Sequence, residues 1–265
     1  MSKTSAKIAN GKDVRINDFI IMMDPEKGEI LQEWDLVHML DSARYGMTDY
    51  DLTSDPFAQS ASNWAHNNGI VEWGDDYLAT ARYQGIFKFN KAGGIEWIIS
   101  PHGYWRDKYL KLLLNPLHAD GTPITDPEVI AGTKNCDDFE WPWGCHTAVP
   151  LPNGHILYFN NGYGRNFKLD FTDRKNIYTC GIEYEVDEVN RTVRQVWQYG
   201  KERGAAYFTP ARSGVQYLEQ TGNRLICPGM SNVLSNGNRG ARVTEVDPET
   251  CLLYTSPSPR DTERS

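Results

Sequence analysis

Two histidines in this 265-residue sequence stand where a side chain could do chemistry. His146 lies in EWPWGCHTAVPLPNGHILYFNNG, on a glycine-flanked turn between tryptophans and an apolar run. His66 lies in SNWAHNNGIVEWGDDYLATAR, between Trp64 and the pair Asn67–Asn68, and Arg82 ends the hairpin that follows. Brought together, these residues give two imidazoles, one guanidinium, carboxamide donors and aromatic walls. Such a set suits an aromatic anion: its ring stacks on Trp or Tyr, while its oxyanion accepts hydrogen bonds from Arg and Asn. A neutral imidazole with an ordinary pKa near 6.5 is a competent nucleophile at pH 7 without a metal. Arg82 is permanently cationic and its planar fork matches two oxygens at once. In this reading His66 carries a proton, Asn68 donates through its amide, and Trp64 walls the pocket.

Each residue also has a plainer role to weigh. His146 and His66 could cap turns, Arg82 could be a strand residue at the surface, and Asn68 could be turn chemistry, since Asn tolerates left-handed backbone. His38, His102 and His118 show no partner pattern and read as structural; His155, in the turn PNGHIL, reads as exposed. Cys145 beside His146 offers only two ligands, too few for a zinc site. The pairs Asp75–Asp76 and Asp137–Asp138 read as turn residues rather than paired catalytic carboxylates.

Composition narrows the classes. A chain that is 40% hydrophobic and 12% aromatic can bury a core, so it is not a disordered one. A net charge of −8 lacks the footprint of a nucleic-acid binder. No apolar run approaches the ~20 residues of a membrane-spanning helix, and the opening MSKTSAKIANGKDVRIND has no apolar signal region. The five cysteines form neither a CxxC pair nor a dense disulfide framework, which leaves the compartment undecided. The end, CLLYTSPSPRDTERS, breaks the preceding alternation. Residues 251–265 are expected to be an artefact resembling a translated sequencing adapter, with the natural sequence running from 1 to 250 and stopping inside a hairpin.

The elements that must position these residues alternate in short runs broken by Gly, Asn, Asp and Pro, which argues an all-β fold. DFIIMMDPEKGEILQEW, GIFKFNKAGGIEW and GIEYEVDEVNRTVRQVW each read as a strand, an Asp- or Asn-led turn and a strand closed by Trp34, Trp97 or Trp197. A further hairpin precedes the second and third, and ARVTEVDPET begins a fourth copy. Recurring four-stranded units of this kind predict a partial β-propeller of about three and a half blades. In that fold the loops before the first strands gather at the channel axis, so His66 and His146 are expected at equivalent positions and able to meet. RDKYLKLLLNPL (residues 106–117) reads as one short amphipathic helix, and a turn or two of helix is expected within residues 33–46.

The segments NWAHNNGIVEW, ARYQGIFKF, FEWPWGCHTAV and VRQVWQYGKERG, in this order, resemble the bacterial aryl-sulfate sulfotransferases that work without 3′-phosphoadenylyl sulfate. The likeness runs from about Phe19 to Thr250. It implies a six-bladed propeller and ping-pong transfer of a sulfuryl group from an aryl sulfate to a phenol through a histidine, with no cofactor. Carried over by motif, the nucleophile falls on His146, with His66, Asn68 and Arg82 around it; a further family histidine lies upstream of anything in this chain. Arg212, in YFTPARSGVQYL, stands about where the family has a small hydroxyl residue, and implies an added cation at the substrate. The cysteine pair that precedes the nucleophile in periplasmic members is not reproduced, so neither that disulfide nor a periplasmic location carries over. Two other functions are compatible with the pocket: a propeller module that binds aromatic anions without turnover, and a sulfatase-like hydrolase in which water replaces the phenol.

Overall fold

Alternating runs broken by Asx turns fold as hairpins. The computed structural model describes residues 2–4, 16–46, 64–168, 172–233, 239–250 and 253–254, and its architecture is mostly β-sheet. Strands β1 (Ser2–Thr4), β2 (Ile16–Met23) and β3 (Ile30–Asp35) form a first sheet. Strands β4 (Asn67–Trp73), β5 (Asp76–Ala81), β6 (Gly85–Phe89) and β7 (Ile95–Ile99) form an antiparallel meander. A third sheet has the order β8 (Asn115–Leu117), β12 (Thr192–Tyr199), β11 (Cys180–Asp187), β10 (Ile156–Asn160), β9 (His146–Pro150). A fourth joins β13 (Gly214–Tyr217), β14 (Arg224–Cys227), β17 (Thr244–Val246) and β18 (Leu253–Tyr254), and a small ribbon pairs β15 (Asn232–Val233) with β16 (Arg239–Gly240). No described helix is long and apolar enough to cross a membrane.

The repeated turn has one physical cause. Asp24 accepts the backbone N–H groups of Glu26 and Lys27 at 2.9 and 3.1 Å. Asn90 does the same for Ala92 and Gly94, Asp187 for Val189 and Asn190, and Asp247 for Glu249 and Thr250. A short polar side chain that bonds the backbone two residues on nucleates each hairpin. The closing tryptophans tie one sheet to the next. Trp34 Nε1 donates to the Lys91 carbonyl at 3.0 Å, and Trp97 Nε1 to Glu188 Oε1 at 2.8 Å. Lys91 and Glu188 each directly follow the turn-forming Asn90 or Asp187 of the next sheet. Trp197 is half-buried, and its Nε1 meets no such acceptor among the described residues.

Apolar cores fill the spaces between consecutive sheets. Ile20, Trp34, Trp64 and Phe87 belong to the first, Leu78, Trp97, Trp141 and Tyr184 to the second, and Leu157, Tyr207, Val215 and Ile226 to the third. The first strands of the sheets run close together. A Cβ on Gly69 of β4 would meet the Thr147 backbone at 3.4 Å, and one on Gly214 of β13 would lie 3.5 Å from Thr147 Oγ1. Thr147 in β9 thus sits between two glycines that permit the approach.

One sequence expectation changes. The helix expected over 106–117 is a single turn, α2 (Asp107–Leu110), after α1 (Leu36–Met39). Pro116 cannot continue a helix and drives Asn115 to extended backbone, so Asn115–Leu117 becomes β8 and pairs in parallel with β12. The long insertion between β7 and β9, residues 100–145, also contains α3 (Pro127–Ala131), capped by the Asp126 side chain and ended by Gly132 at φ 86°. Of the 251–265 tail, the described residues are Leu253 and Tyr254, which pair with β17.

Candidate active site

The site is built where β9 begins. β9 carries a register shift opposite Tyr158 and Phe159, so His146 faces Phe159, Ala148 faces Tyr158, and Thr147 is the extra residue between them. Thr147 adopts φ 48°, a left-handed conformation that a β-branched residue tolerates poorly; such strain costs ~1–3 kcal/mol and survives only where the surroundings impose it. β4 shows the same device, with Asn67 opposite Ala81, Gly69 opposite Thr80, and Asn68 between them. The bulges therefore align Asn67, not His66, with His146. The expected equivalence of the two histidines is off by one residue: both strands carry the same bulge, and His66 lies just before β4 while His146 is the first residue of β9.

His146 is half-buried, and its Nδ1 lies 2.6 Å from Asn161 Oδ1 and 3.2 Å from the Gly144 carbonyl oxygen. Both partners are acceptors. The Asn161 amide is fixed in this sense because its Nδ2 donates to the Thr209 carbonyl at 2.9 Å and to Ser213 Oγ at 3.3 Å. The hydrogen-bond network therefore puts the ring proton on Nδ1 and leaves the lone pair on Nε2. Burial, and then the charge of nearby Arg82, push the imidazole from its ordinary 6.5 down to about 4 against the opposing pull of Asn161 and Gly144. At neutral pH His146 is uncharged.

Arg82 directly follows β5 and is buried. Its guanidinium donates to the Pro210 carbonyl at 2.8 Å and to the Tyr83 hydroxyl at 3.3 Å, and stands 4.6 Å from the centre of the Tyr163 ring. The cation thus links the second sheet to the loop before β13. Beside it a cavity of about 30 Å³ is lined by Trp143, Tyr163 and Phe167 among others, room for a water rather than an arene. His66 is half-buried with φ 55° and meets the Tyr83 ring edge-on at 5.9 Å. Its carbonyl accepts the Arg82 N–H at 3.1 Å. Asp18 steadies this strained turn by accepting the Asn67 N–H at 2.7 Å; burial raises the Asp18 carboxyl pKa even though these N–H groups oppose it.

Asn68 bridges the two sheets. Its Nδ2 donates to the Cys145 carbonyl at 2.8 Å, and its Oδ1 accepts from Thr80 Oγ1 at 2.7 Å. One amide hydrogen thus holds the backbone next to His146. Cys145 is fully buried, and burial pushes its thiol up to about 12, which disfavours a thiolate at neutral pH. Arg212 is exposed at φ 58° between Ala211 and Ser213, and Ser213 in turn touches Asn161. Trp64 does not wall the pocket. It has no exposed surface and packs within the first core, so its ring has no face for a ligand. Asn63, at the edge of the same sequence window, lies outside the described residues.

Sequence reasoning missed Asn160 and Asn161. Asn160 Oδ1 accepts the Trp143 and Gly162 N–H groups at 3.0 Å each, and its Nδ2 donates to the Trp141 carbonyl at 2.9 Å. Together the two amides wire the loop that carries His146. The signal lay in YFNNG: two amides at the end of a fully apolar strand are buried there, and buried polar groups need partners.

A buried cation thus stands near a neutral imidazole whose Nδ1 is held by two acceptors. The chain belongs to the arylsulfotransferase (ASST) family, whose model matches residues 1–254. It is 31% identical over 229 residues to the arylsulfate sulfotransferase AssT of Escherichia coli O6:H1 (strain CFT073), covering 76% of this chain and 38% of that protein. With AssT of Lelliottia amnigena it shares 29% identity over 263 residues, covering 89% of this chain and 43% of that protein. The chain thus spans about two fifths of the length of these relatives. An endo-1,5-α-L-arabinanase structure from Thermotoga petrophila RKU-1 superposes with a TM-score of 0.35 at 14% identity, over 74% of this chain and 40% of that one, too weak a likeness to bear on the fold.

Proposed function

We propose that this chain carries the transfer centre of an aryl sulfate sulfotransferase with His146 as the nucleophile. The observation that carries the reading is the pair of acceptors on Nδ1, which directs the lone pair to Nε2. In the first half-reaction Nε2 attacks the sulfur of an aryl sulfate, the S–O(aryl) bond breaks, and the phenolate leaves with the bonding pair. His66 supplies the proton that neutralises it. In the second, a phenol gives its proton to His66, its oxygen attacks the sulfur, and the S–N bond breaks to restore neutral His146. A sulfuryl group spreads one negative charge over three oxygens, so the work is positioning and charge stabilisation. Arg82 supplies the fixed cation, and Asn68, already bonded to the Cys145 carbonyl, turns its other amide hydrogen toward the sulfuryl oxygens. Exposed Arg212 is assigned the acceptor phenol in this reading. The arene stays outside the small cavity beside Arg82, on the open side of His146.

The sheets are read as successive blades of one propeller, an arrangement supported by the repeated tryptophan link between neighbouring sheets and by the close approach of β4, β9 and β13. The test is turnover of 4-nitrophenyl sulfate by this chain with and without an added phenol. Transfer predicts nitrophenol release that rises with the acceptor and is lost in His146→Ala. Release that ignores the acceptor would identify a hydrolase instead, and binding without release a non-catalytic module.

A further inference from the structure

A second constellation lies away from His146, where the insertion turns back toward the nucleophile loop. His118 follows β8, and Cys136 and Asp138 lie on the segment between α3 and the Glu140–Cys145 loop. His118 Nδ1 stands 3.0 Å from Asp138 Oδ1, and Cys136 Sγ stands 3.1 Å from the same oxygen. One ligand atom from each residue falls within 4.8 Å of the others. The Asp138 carboxylate is aimed by the Ala119 N–H, which bonds its second oxygen at 3.0 Å. Nitrogen, sulfur and oxygen donors from two chain segments thus converge on one point that remains partly open to water, the His118 and Asp138 side chains being 39% and 37% exposed.

We propose that His118, Cys136 and Asp138 bind one zinc-class divalent ion, with water in the remaining position. The donor set favours that class: thiolate and imidazole select borderline-soft ions over calcium or magnesium, which take oxygen cages. Three protein ligands and one water make a tetrahedral open site. The charges match, since one thiolate and one carboxylate neutralise a dication. Binding requires small rearrangements: Cys136 gives up its thiol proton to solvent, and the His118 ring proton moves to Nε2 so that Nδ1 becomes the ligand. The bound ion clips the turn after β8 to the base of the nucleophile loop. It joins two segments about 18 residues apart, a loop closure that stabilises the folded chain. The site is independent of the sulfotransferase reading.

The experiment is titration of the chelator-treated full chain with zinc chloride by calorimetry, followed by cobalt(II) substitution and absorption spectroscopy. One equivalent of zinc binds, the cobalt form shows a sulfur-to-metal charge-transfer band, and the melting temperature rises with zinc. Both binding and band disappear in Cys136→Ser and His118→Ala, while Asp137→Asn and Cys227→Ser, which alter a neighbour and another thiol, keep them. Circular dichroism of the metal-free variants separates lost ligands from lost fold. Zinc uptake that is equal in wild type and Cys136→Ser, or no uptake at micromolar zinc, overturns the site.

Discussion

The amide of Asn161 sets the state of His146, and replacing it by a carboxylate isolates that role. Asn161→Asp keeps an acceptor 2.6 Å from Nδ1, so the ring keeps its Nδ1–H form, but it places a charge where there was a dipole. An opposite charge at this range raises a histidine pKa by ~1–3 units, at about 1.4 kcal/mol each. The imidazole that titrates at about 4 in the native site would titrate ~1–3 units higher in the variant. Asn161→Leu removes the acceptor altogether and leaves only the Gly144 carbonyl at 3.2 Å. The lost hydrogen bond weakens the preference for the Nδ1–H form by ~0.5–1.5 kcal/mol. Long-range proton–nitrogen correlation spectra read both tautomer and midpoint without requiring turnover. Wild type gives a neutral Nδ1–H ring down to about pH 4, and the aspartate variant gives the same tautomer with a raised midpoint. A wild-type ring protonated on Nε2, or a midpoint that the carboxylate leaves unmoved, refutes the argument.

Two further predictions concern stability, one from His146 and one from a buried ion pair. The folded-state pKa of His146 lies below its unfolded value, so between pH 6.5 and about 4 the unfolded chain binds a proton that the folded chain refuses. Stability therefore falls as pH drops through that window, by about 3 kcal/mol from this residue, and urea unfolding of wild type against His146→Gln at both ends of the window shows that increment disappearing. Glu140 and Arg165 form an ion pair with both side chains 3% exposed, and the Tyr178 hydroxyl bonds the same carboxylate at 2.7 Å. Glu140→Gln strands the cation and costs ~3–5 kcal/mol in urea unfolding, part of which Glu140→Gln/Arg165→Met recovers.

The hairpins were readable because their cause is local. Asp24, Asn90, Asp187 and Asp247 each build a turn from their own side chain and the next few N–H groups, so the chain prints the repeat directly. His146, His66, Asn68 and Arg82 lie on short loops and strand ends that the fold brings near one another, where the Asn68 amide bonds the Cys145 carbonyl and the His66 carbonyl accepts the Arg82 N–H. Other features needed the third dimension. Asn161 acts across 15 residues, on a ring carried by the neighbouring strand. His118 meets Asp138 across 20 residues of irregular insertion, where no periodicity marks the return. Trp64 was misjudged because its ring turns into the core together with Ala65, and the turn toward β4 begins only at His66. The 106–117 segment carried a helical pattern that Pro116 and the edge of β12 overrode.

The claim on which the reaction rests is that His146 itself takes up the sulfuryl group. Mixing the chain with an aryl sulfate in the absence of any phenol, quenching, and measuring intact mass followed by peptide mapping tests it most directly. The account expects one SO₃ added to wild type, mapped to His146, discharged when a phenol is supplied, and absent from His146→Ala. An adduct on another residue, or release of the arene by wild type under the same quench with no mass gained, contradicts it.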